Sequence, residues 1–211
     1  MTDSRKLVFF HSPNTRSSGV RILLEELHAD HEMRVINMKA GQQRAADYLA
    51  INPMGKVPAI MHGDALITEQ AAIYQYLADL HPQAGLAPPI GDPLRGPFLR
   101  WLAFYGASFE PAVVDRALKR EPAPPAMCPY GDYDTMLKTF VTQLSKGEYF
   151  LGPQFSAVDV LWGAALKWML GFKLLPEDPL IIEYSQRVNA RPAFVKVARL
   201  ENELSASLPG A

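Results

Sequence analysis

Residues 51–60 have the sequence Ile51-Asn-Pro-Met-Gly-Lys-Val-Pro-Ala-Ile60, and this stretch is the most informative part of the chain about the fold. A proline cannot donate to the hydrogen-bond ladder of a central strand, so Pro58 marks an edge or a turn. The Val57–Pro58 bond can be cis, which would turn the Val57 backbone outward, although most bonds of this type are trans. Eight residues after Ile60, the sequence Thr68-Glu-Gln-Ala-Ala has the composition of a helix start. The stretch therefore predicts a short strand followed by a helix that Thr68 caps, with Glu69 in its first turn, where an acid complements the helix dipole.

Strand and helix patterns alternate on both sides of this stretch up to residue 82. Short apolar runs predict four strands, and amphipathic runs predict three helices. In chain order the predicted elements are a strand at 7–10, a helix reaching residue 28, a strand at 32–37, a helix at 42–51, strands at 57–61 and 65–67, and a helix at 68–80. This βαβ-α-ββα order predicts an α/β domain built on a mixed four-stranded sheet.

A proline-rich segment separates this region from a second one in which all the periodicity is helical. Residues 83–92 contain prolines that can continue neither a helix nor a central strand, so they read as a linker between domains 1–82 and 93–211. The predicted helices of the second domain are 93–120 with a break at Pro111, 130–146, 156–170, 179–189 and 192–204. Ser156 and Asp159 have capping-box spacing, and the helix after them is apolar on nearly every side, which places it at the centre of a bundle.

The composition excludes several classes of function. The 211 residues include 21 basic and 22 acidic side chains, so there is no basic excess with which to bind nucleic acid. Cys128 is the only cysteine in the sequence and can form neither an internal disulfide nor a multi-thiolate metal site. No apolar run approaches the ~18 residues of a membrane span, and the N-terminal apolar run is too short for a signal peptide. We therefore expect a cytoplasmic protein without a metal and without a membrane partner.

The motifs taken together resemble the soluble glutathione transferase superfamily. The resemblance rests on NPMGKVPAI, on ITEQAAIYQYLADLHP, on the proline-rich linker and on FSAVDVLWGAAL, and it covers essentially the whole chain. It implies a thioredoxin-like N-terminal domain that binds glutathione as a co-substrate and an all-helical C-terminal domain that supplies the second substrate. It also implies a homodimer.

The resemblance assigns glutathione contacts to particular residues of the N-terminal half. The Val57 backbone, next to a cis Pro58, would pair with the cysteinyl unit of glutathione, and Glu69 would hold its ammonium group. Gln70 would hold the neighbouring carboxylate, although relatives usually have Ser or Thr there, which leaves only the backbone contact secure. The candidates for the glycyl carboxylate are Lys39, Gln42 and Lys56.

The loop after the first predicted strand should stabilise the glutathione thiolate. Relatives use Tyr, Ser or Cys for this purpose, but the aligned positions here hold Asn14 and Arg16. We rank Asn14 first as the donor, Thr15 second and Ser17 third, since an amide or a hydroxyl can each donate a hydrogen bond. His11 could act as a general base, but a histidine at a strand end is more often a surface or capping residue, and we assign it no role.

The pocket for the second substrate is expected to include Ser12, Tyr105 and Ser108. Trp101, Phe104 and Phe109 lie on the same predicted helix, but aromatic residues at helical spacing are more often part of the core. The predicted reaction is attack of the bound thiolate on a hydrophobic electrophile. Two alternatives stay open: a glutathione-dependent disulfide reductase, dehalogenase or isomerase, and a glutathione- or partner-binding protein with little catalysis.

Overall fold

The computed structural model describes residues 6–210, and the N-terminal part of the chain forms a thioredoxin-like α/β unit. Its elements alternate as the sequence predicts. In chain order they are β1 (Leu7–His11), α1 (Ser17–Glu26), β2 (Glu32–Val35), α2 (Ala46–Ile51), β3 (Ala59–His62), β4 (Ala65–Ile67) and α3 (Gln70–Leu80). A single 3₁₀ turn at Gln42–Arg44 replaces the first part of the helix predicted at 42–51.

The four strands form one mixed sheet in the order β2-β1-β3-β4. β1 runs parallel to β2 and antiparallel to β3, and β3 runs antiparallel to β4. Phe10 near the end of β1 pairs with Ala59 at the start of β3, and Ile60 pairs with Ile67 at the end of β4. The segments that follow β1, precede β3 and follow β4 therefore meet at one end of the sheet.

The sheet is covered on one face by α2. Phe10 and Ala59 form a buried cluster with Tyr48 of α2, and the rings of Phe10 and Tyr48 lie 5.6 Å apart between centroids. Phe9 points to the opposite face because successive strand side chains alternate, and α1 and α3 pack against each other in the same unit.

The middle of the chain is helical, as the sequence predicts. It contains α4 (Arg95–Phe104), α5 (Glu110–Ala117), α6 (Tyr133–Leu144), α7 (Ala157–Gly171) and α8 (Pro179–Asn189). A π-helical turn, Tyr105–Phe109, joins α4 to α5 just before Pro111. This turn interrupts the helix predicted over 93–120 at the expected place, since Pro111 has no N–H with which to continue the α-helical ladder.

The helical unit packs around Trp162 of α7. The aromatic rings whose centroids lie within 6.5 Å of this indole are those of Trp101, Phe104, Tyr105, Phe109, Phe140 and Phe150. The predicted capping box is present at the start of α7, where the Asp159 carboxylate accepts hydrogen bonds from the Ser156 N–H and hydroxyl at 2.9 Å each.

The chain forms two compact units, and their boundaries differ from the predicted domains at the C-terminus. One unit comprises the described residues up to Ala84 together with those from Arg191 onward, and the other spans Gly85–Ala190. Helix α9 (Pro192–Ser207) packs against α1, so it belongs with the sheet rather than with the bundle in which the sequence places it. Immediately before α9, the Arg191 guanidinium donates two hydrogen bonds of 2.8 Å to the Glu26 carboxylate at the end of α1.

The start of α3 also corrects the prediction. Gln70 is the first helical residue and Glu69 is the N-cap, so Thr68 does not cap the helix and Glu69 does not lie in its first turn. The Glu69 backbone has φ 63° and ψ 123°, which is not a helical conformation. Within residues 6–210, no helix is both long and apolar enough to cross a membrane.

Candidate functional site

Three polar segments meet at the end of the sheet where β1 and β4 stop and β3 begins. They are the loop of residues 12–16, which we call the first loop, the segment around Val57, and the turn at Glu69. The Val57–Pro58 bond is cis, as the sequence allowed. The topology therefore brings the candidates for the thiol, cysteinyl and γ-glutamyl contacts together at one end of the sheet.

Ser17 is the centre of a buried hydrogen-bond network behind the first loop. Its hydroxyl accepts a hydrogen bond from the Ser12 N–H at 3.1 Å and lies 2.7 Å from the Thr15 hydroxyl. The Nδ1 atom of His11 lies 2.9 Å from the Ser17 hydroxyl on the other side. Ser17 and His11 are both fully buried, whereas Thr15 is half-buried. The network thus runs from the interior toward the surface of the first loop.

Glu201 of α9 joins this network from the far end of the sequence. Its carboxylate accepts hydrogen bonds from the Asn14 N–H at 2.9 Å, from the Arg21 guanidinium at 2.8 Å and from the Ser18 hydroxyl. Nε2 of His11 lies 3.0 Å from Glu201 Oε1, although its alignment falls short of a hydrogen bond. One buried carboxylate therefore contacts the end of β1, the first loop and α1.

The surroundings of Glu201 keep it ionised. Burial alone would raise the pKa of this carboxyl group, but His11, Ser18 and Arg21 together outweigh burial and hold the pKa at about 2. A negative charge therefore sits beside the His11 imidazole throughout the physiological pH range.

The segment before Val57 is held by two side chains that the sequence analysis left without a role. The Lys56 carbonyl accepts hydrogen bonds from the Tyr48 hydroxyl at 2.6 Å and from the Asn52 amide at 2.8 Å. Gly55 has φ +60°, and a Cβ atom there would lie 2.5 Å from the Gln43 carbonyl oxygen. The quoted motif therefore requires Asn52 and Gly55 for local geometry, which fixes the backbone that leads into Val57.

The remaining predicted residues lie in different settings. The side chains of Asn14, Lys39, Lys56 and Glu69 are exposed, and Gln70 is half-buried. The Gln42 side-chain oxygen accepts a hydrogen bond from the Asn37 N–H at 2.8 Å and closes the turn after β2. In the helical unit, Tyr105 is buried in the aromatic core and Ser108 is half-buried. Among the described residues, no group of three or more His, Cys, Asp or Glu side chains is arranged to hold a metal ion.

The structure also changes the interpretation of two residues. His11 has no exposed surface and contacts the Ser17 hydroxyl, so it is not a surface residue. Glu201, which the sequence analysis missed, lies on the same stripe of α9 as the buried residues Phe194 and Val197. An acid at an apolar position of a helix was the signal that could have identified it, because such a charge must find a partner when it is buried.

Comparisons with known proteins point to one family. Residues 6–79 match the model of the family described as glutathione S-transferase, N-terminal domain. A glutathione S-transferase, GstA, from Escherichia coli O157:H7 is 30% identical over 87% of this chain and 92% of its own length.

Solved structures of similar proteins extend the match. A glutathione transferase from Methylococcus capsulatus has a TM-score of 0.78 and 29% identity, covering 93% of this chain and 99% of its own. A sphingomonad glutathione S-transferase, solved in complex with glutathione, has a TM-score of 0.72 and 28% identity, with 92% and 98% coverage. The chain therefore belongs to the glutathione S-transferase family.

Proposed function

We propose that this protein transfers the thiolate of glutathione to a small hydrophobic electrophile. The observation that carries the proposal is the backbone of Glu69, whose positive φ of 63° is costly for a residue other than glycine. Backbone strain of about 1–3 kcal/mol at one residue is typical of ligand clamps and active sites. The family membership and the glutathione bound to the sphingomonad relative support the choice of ligand.

Glu69 and Gln70 would bind the γ-glutamyl end of glutathione. The exposed Glu69 carboxylate stands at the N-cap of α3, a helix of 11 residues, and would pair with the ligand ammonium. The N–H groups at the start of α3, beginning with Gln70, would bind the neighbouring carboxylate, because a helix N-terminus favours an anion. Two adjacent residues, Glu69 and Gln70, would thus bind the ammonium and the carboxylate of the γ-glutamyl group.

The Val57 backbone would pair with the cysteinyl unit in the manner of an added strand. Support comes from the fixed Lys56 carbonyl, since its two hydrogen bonds restrict the backbone next to Val57. This pairing would direct the ligand thiol toward the first loop at the same end of the sheet. We propose Lys56, Lys39 and Gln42 for the glycyl carboxylate, as the sequence predicts.

The first loop would stabilise the thiolate. A free thiol has a pKa of ~8.5, and lowering this by about two units requires roughly 2.7 kcal/mol of differential stabilisation. One or two hydrogen-bond donors can supply that amount. Of the predicted donors Asn14, Thr15 and Ser17, the hydroxyl of Thr15 combines partial exposure with a connection to the buried network. The protein would contribute thiolate stabilisation and proximity, while the nucleophile belongs to glutathione.

Replacement of Glu69 tests the placement of the site. Glu69→Ala leaves the ligand ammonium unpaired, so we expect glutathione affinity to fall roughly thirtyfold, as the loss of a charged hydrogen bond costs about 2 kcal/mol. Titration calorimetry measures the change. Asp64→Ala is the matched control because it removes an exposed acid from the β3–β4 turn of the same unit. Equal affinities for the parent and Glu69→Ala would show that the site is misplaced.

Turnover distinguishes conjugation from the alternatives. We expect the protein to consume a chloro-nitroarene electrophile together with glutathione. Turnover of a disulfide substrate without conjugation would identify a reductase, and glutathione binding without turnover of either substrate would identify a binding protein. We also propose a homodimer, and light scattering in solution measures the oligomeric state.

A further inference from the structure

We propose that the bound thiol of glutathione loses its proton to His11 through the hydroxyls of Thr15 and Ser17, with Glu201 holding the imidazolium that forms. This inference deepens the proposed function and rests on glutathione binding at the first loop. In this scheme Thr15 is the catalytic residue because it touches the sulfur, while Ser17, His11 and Glu201 are positioning residues that act through it.

The contacts form one continuous chain from the surface to the interior. The Thr15 hydroxyl lies 2.7 Å from the Ser17 hydroxyl, which lies 2.9 Å from His11 Nδ1. The opposite ring nitrogen of His11 lies 3.0 Å from the Glu201 carboxylate. The separations between Thr15, Ser17 and His11 Nδ1 are hydrogen-bond distances, along which a proton can move, and the contact between Nε2 and Glu201 is close enough for an ion pair. No other atom needs to enter the chain between Thr15 and Glu201.

A count of donors assigns the resting state. The Ser12 N–H donates to the Ser17 oxygen, and the single Ser17 proton has two acceptors at 2.9 Å, the Ser12 carbonyl and His11 Nδ1. We place the ring proton on Nε2, because an unprotonated Nε2 would hold its lone pair 3.0 Å from the ionised Glu201 carboxylate. Nδ1 is then the nitrogen that accepts a proton from Ser17. At rest the Thr15 hydroxyl donates to the Ser12 carbonyl at 2.7 Å and accepts from the Ser17 N–H at 3.2 Å, so the second lone pair of its oxygen is open to the incoming thiol.

The proposed transfer conserves protons and charge. The Thr15 hydroxyl turns from the Ser12 carbonyl toward Ser17, which lies at the same distance of 2.7 Å. The S–H proton then passes to the Thr15 oxygen, the Thr15 proton passes to the Ser17 oxygen, and the Ser17 proton passes to His11 Nδ1. The products are a thiolate that accepts a hydrogen bond from Thr15 and an imidazolium beside the Glu201 carboxylate. The charges that face this imidazolium are Glu201 from α9 and Arg21 from α1, and Arg21 donates to the same carboxylate. After the conjugate forms, His11 returns its proton to solvent through the same chain.

The burial of Glu201 strengthens its electrostatic interaction with His11. The side chain is 5% exposed, so its charge acts on His11 with little screening by water. A carboxylate with a pKa of about 2 does not compete with His11 for the proton at neutral pH. The same carboxylate binds the Asn14 N–H, so the group that stabilises the imidazolium also holds the first loop in place.

A proton inventory of glutathione binding tests the inference on the parent protein. Ultraviolet absorbance gives the fraction of bound thiol that is ionised, and calorimetry in two buffers of different ionisation enthalpy gives the protons released. We expect a thiolate fraction that clearly exceeds the number of protons released near neutral pH, since His11 keeps the proton. One proton released per thiolate formed would overturn the relay, because the proton would then have gone to solvent.

Substitutions locate the acceptor. His11→Asn keeps a polar group near Ser17 but cannot take up a proton, and Glu201→Gln removes the charge that holds the imidazolium. In both variants we expect the pKa of the bound thiol to rise by about one unit or more, toward its free value of ~8.5. The thiolate that remains should be matched by released protons. An unchanged thiol pKa in both variants would overturn the proposal.

Controls separate this proposal from folding defects and from the proposed function. S-methylglutathione has no thiol proton, so its affinity should stay within about twofold of the parent value in each variant. His31→Asn removes a histidine elsewhere in the same unit and should behave as the parent. Thr15→Val should lose the low thiol pKa and Thr15→Ser should restore it, which keeps the test decisive if the buried variants do not fold. Failure of the parent to bind S-methylglutathione would contradict the proposed function instead.

Discussion

At the scale of single residues, Gly55 shows how the quoted motif constrains its own backbone. Its φ of +60° lies in the left-handed region, and the nearest atoms to an added Cβ would be the Gln43 carbonyl oxygen at 2.5 Å and an Arg44 nitrogen at 2.8 Å. A separation of 2.5 Å from a backbone oxygen forces the loop to move. We expect Gly55→Ala to lower the free energy of unfolding by at least about 2 kcal/mol, because overpacking adds to the left-handed penalty.

Gly131 provides the matched control for this substitution. It has a similar φ of +67°, but a Cβ there would have no neighbour within 4 Å. Gly131→Ala should therefore cost about 1 kcal/mol, from backbone conformation alone. Urea unfolding followed by circular dichroism measures both values. Equal losses in the two variants would mean that the crowding around Gly55 has no energetic weight.

At the scale of elements, the start of α7 depends on one buried carboxylate. Asp159 accepts hydrogen bonds from Ser156, from the Phe150 N–H at 3.0 Å and from the Tyr184 hydroxyl at 2.8 Å. Burial raises the pKa of Asp159, but these donors lie in position to satisfy its charge. We expect Asp159→Ala to destabilise the protein by about 3 kcal/mol or more, since it leaves several buried donors without a partner.

A substitution at an exposed N-cap distinguishes the stability that the buried contacts of Asp159 provide from the stability that helix capping alone provides. Asp132 is the exposed N-cap of α6, and its carboxylate accepts a hydrogen bond from the Thr135 N–H at 2.8 Å. Asp132→Ala should cost about 1 kcal/mol, a typical value for the loss of an N-cap. Chemical denaturation of both variants gives the comparison. Similar losses would contradict the role of Asp159 as a link between Phe150 and Tyr184.

The elements also show what local sequence patterns can predict. The capping box of α7 and the break before Pro111 follow from spacing and from proline chemistry, and both are present. The start of α3 could not be predicted in the same way. Thr68 is a good capping residue, but the chain enters the helix through Glu69 in a strained conformation. Local preference favours Thr68, so a requirement beyond the helix itself must select this geometry.

At the scale of the whole molecule, the α/β and helical halves follow from periodicity, but the network behind the first loop does not. Its hydroxyls belong to residues 12–18, whereas its carboxylate belongs to Glu201, 187 positions after Asn14. Helical periodicity predicts α9 but not the element on which it packs. The contact between α1 and α9 brings the C-terminal residues back to the sheet unit, and only the tertiary fold reveals it.

The packing of α9 against α1 buries Glu201, and this makes the stability of the protein depend on pH. Its folded pKa of about 2 lies below the ordinary value of 4.5, so its stabilising contribution is complete above pH 4.5 and is lost as the pH falls toward 2. The difference corresponds to about 3 kcal/mol, and this figure is not reduced by exposure because the side chain is buried. Asp159 acts in the opposite direction, since burial raises its pKa and favours the folded state at low pH.

Comparison of the parent with Glu201→Gln isolates this contribution, because both proteins contain Asp159 and its effect cancels in the difference. The parent should be more stable than the variant at neutral pH, and the two free energies of unfolding should converge by about 3 kcal/mol between pH 4.5 and 2. Circular dichroism is the suitable probe because it reports on both units. Tryptophan fluorescence would report on the helical unit alone, since Trp101, Trp162 and Trp168 all lie there. Parallel pH profiles would mean that Glu201 is as easily protonated in the folded protein as in the unfolded chain. The ionised carboxylate on which the His11 contact depends would then be absent in mild acid.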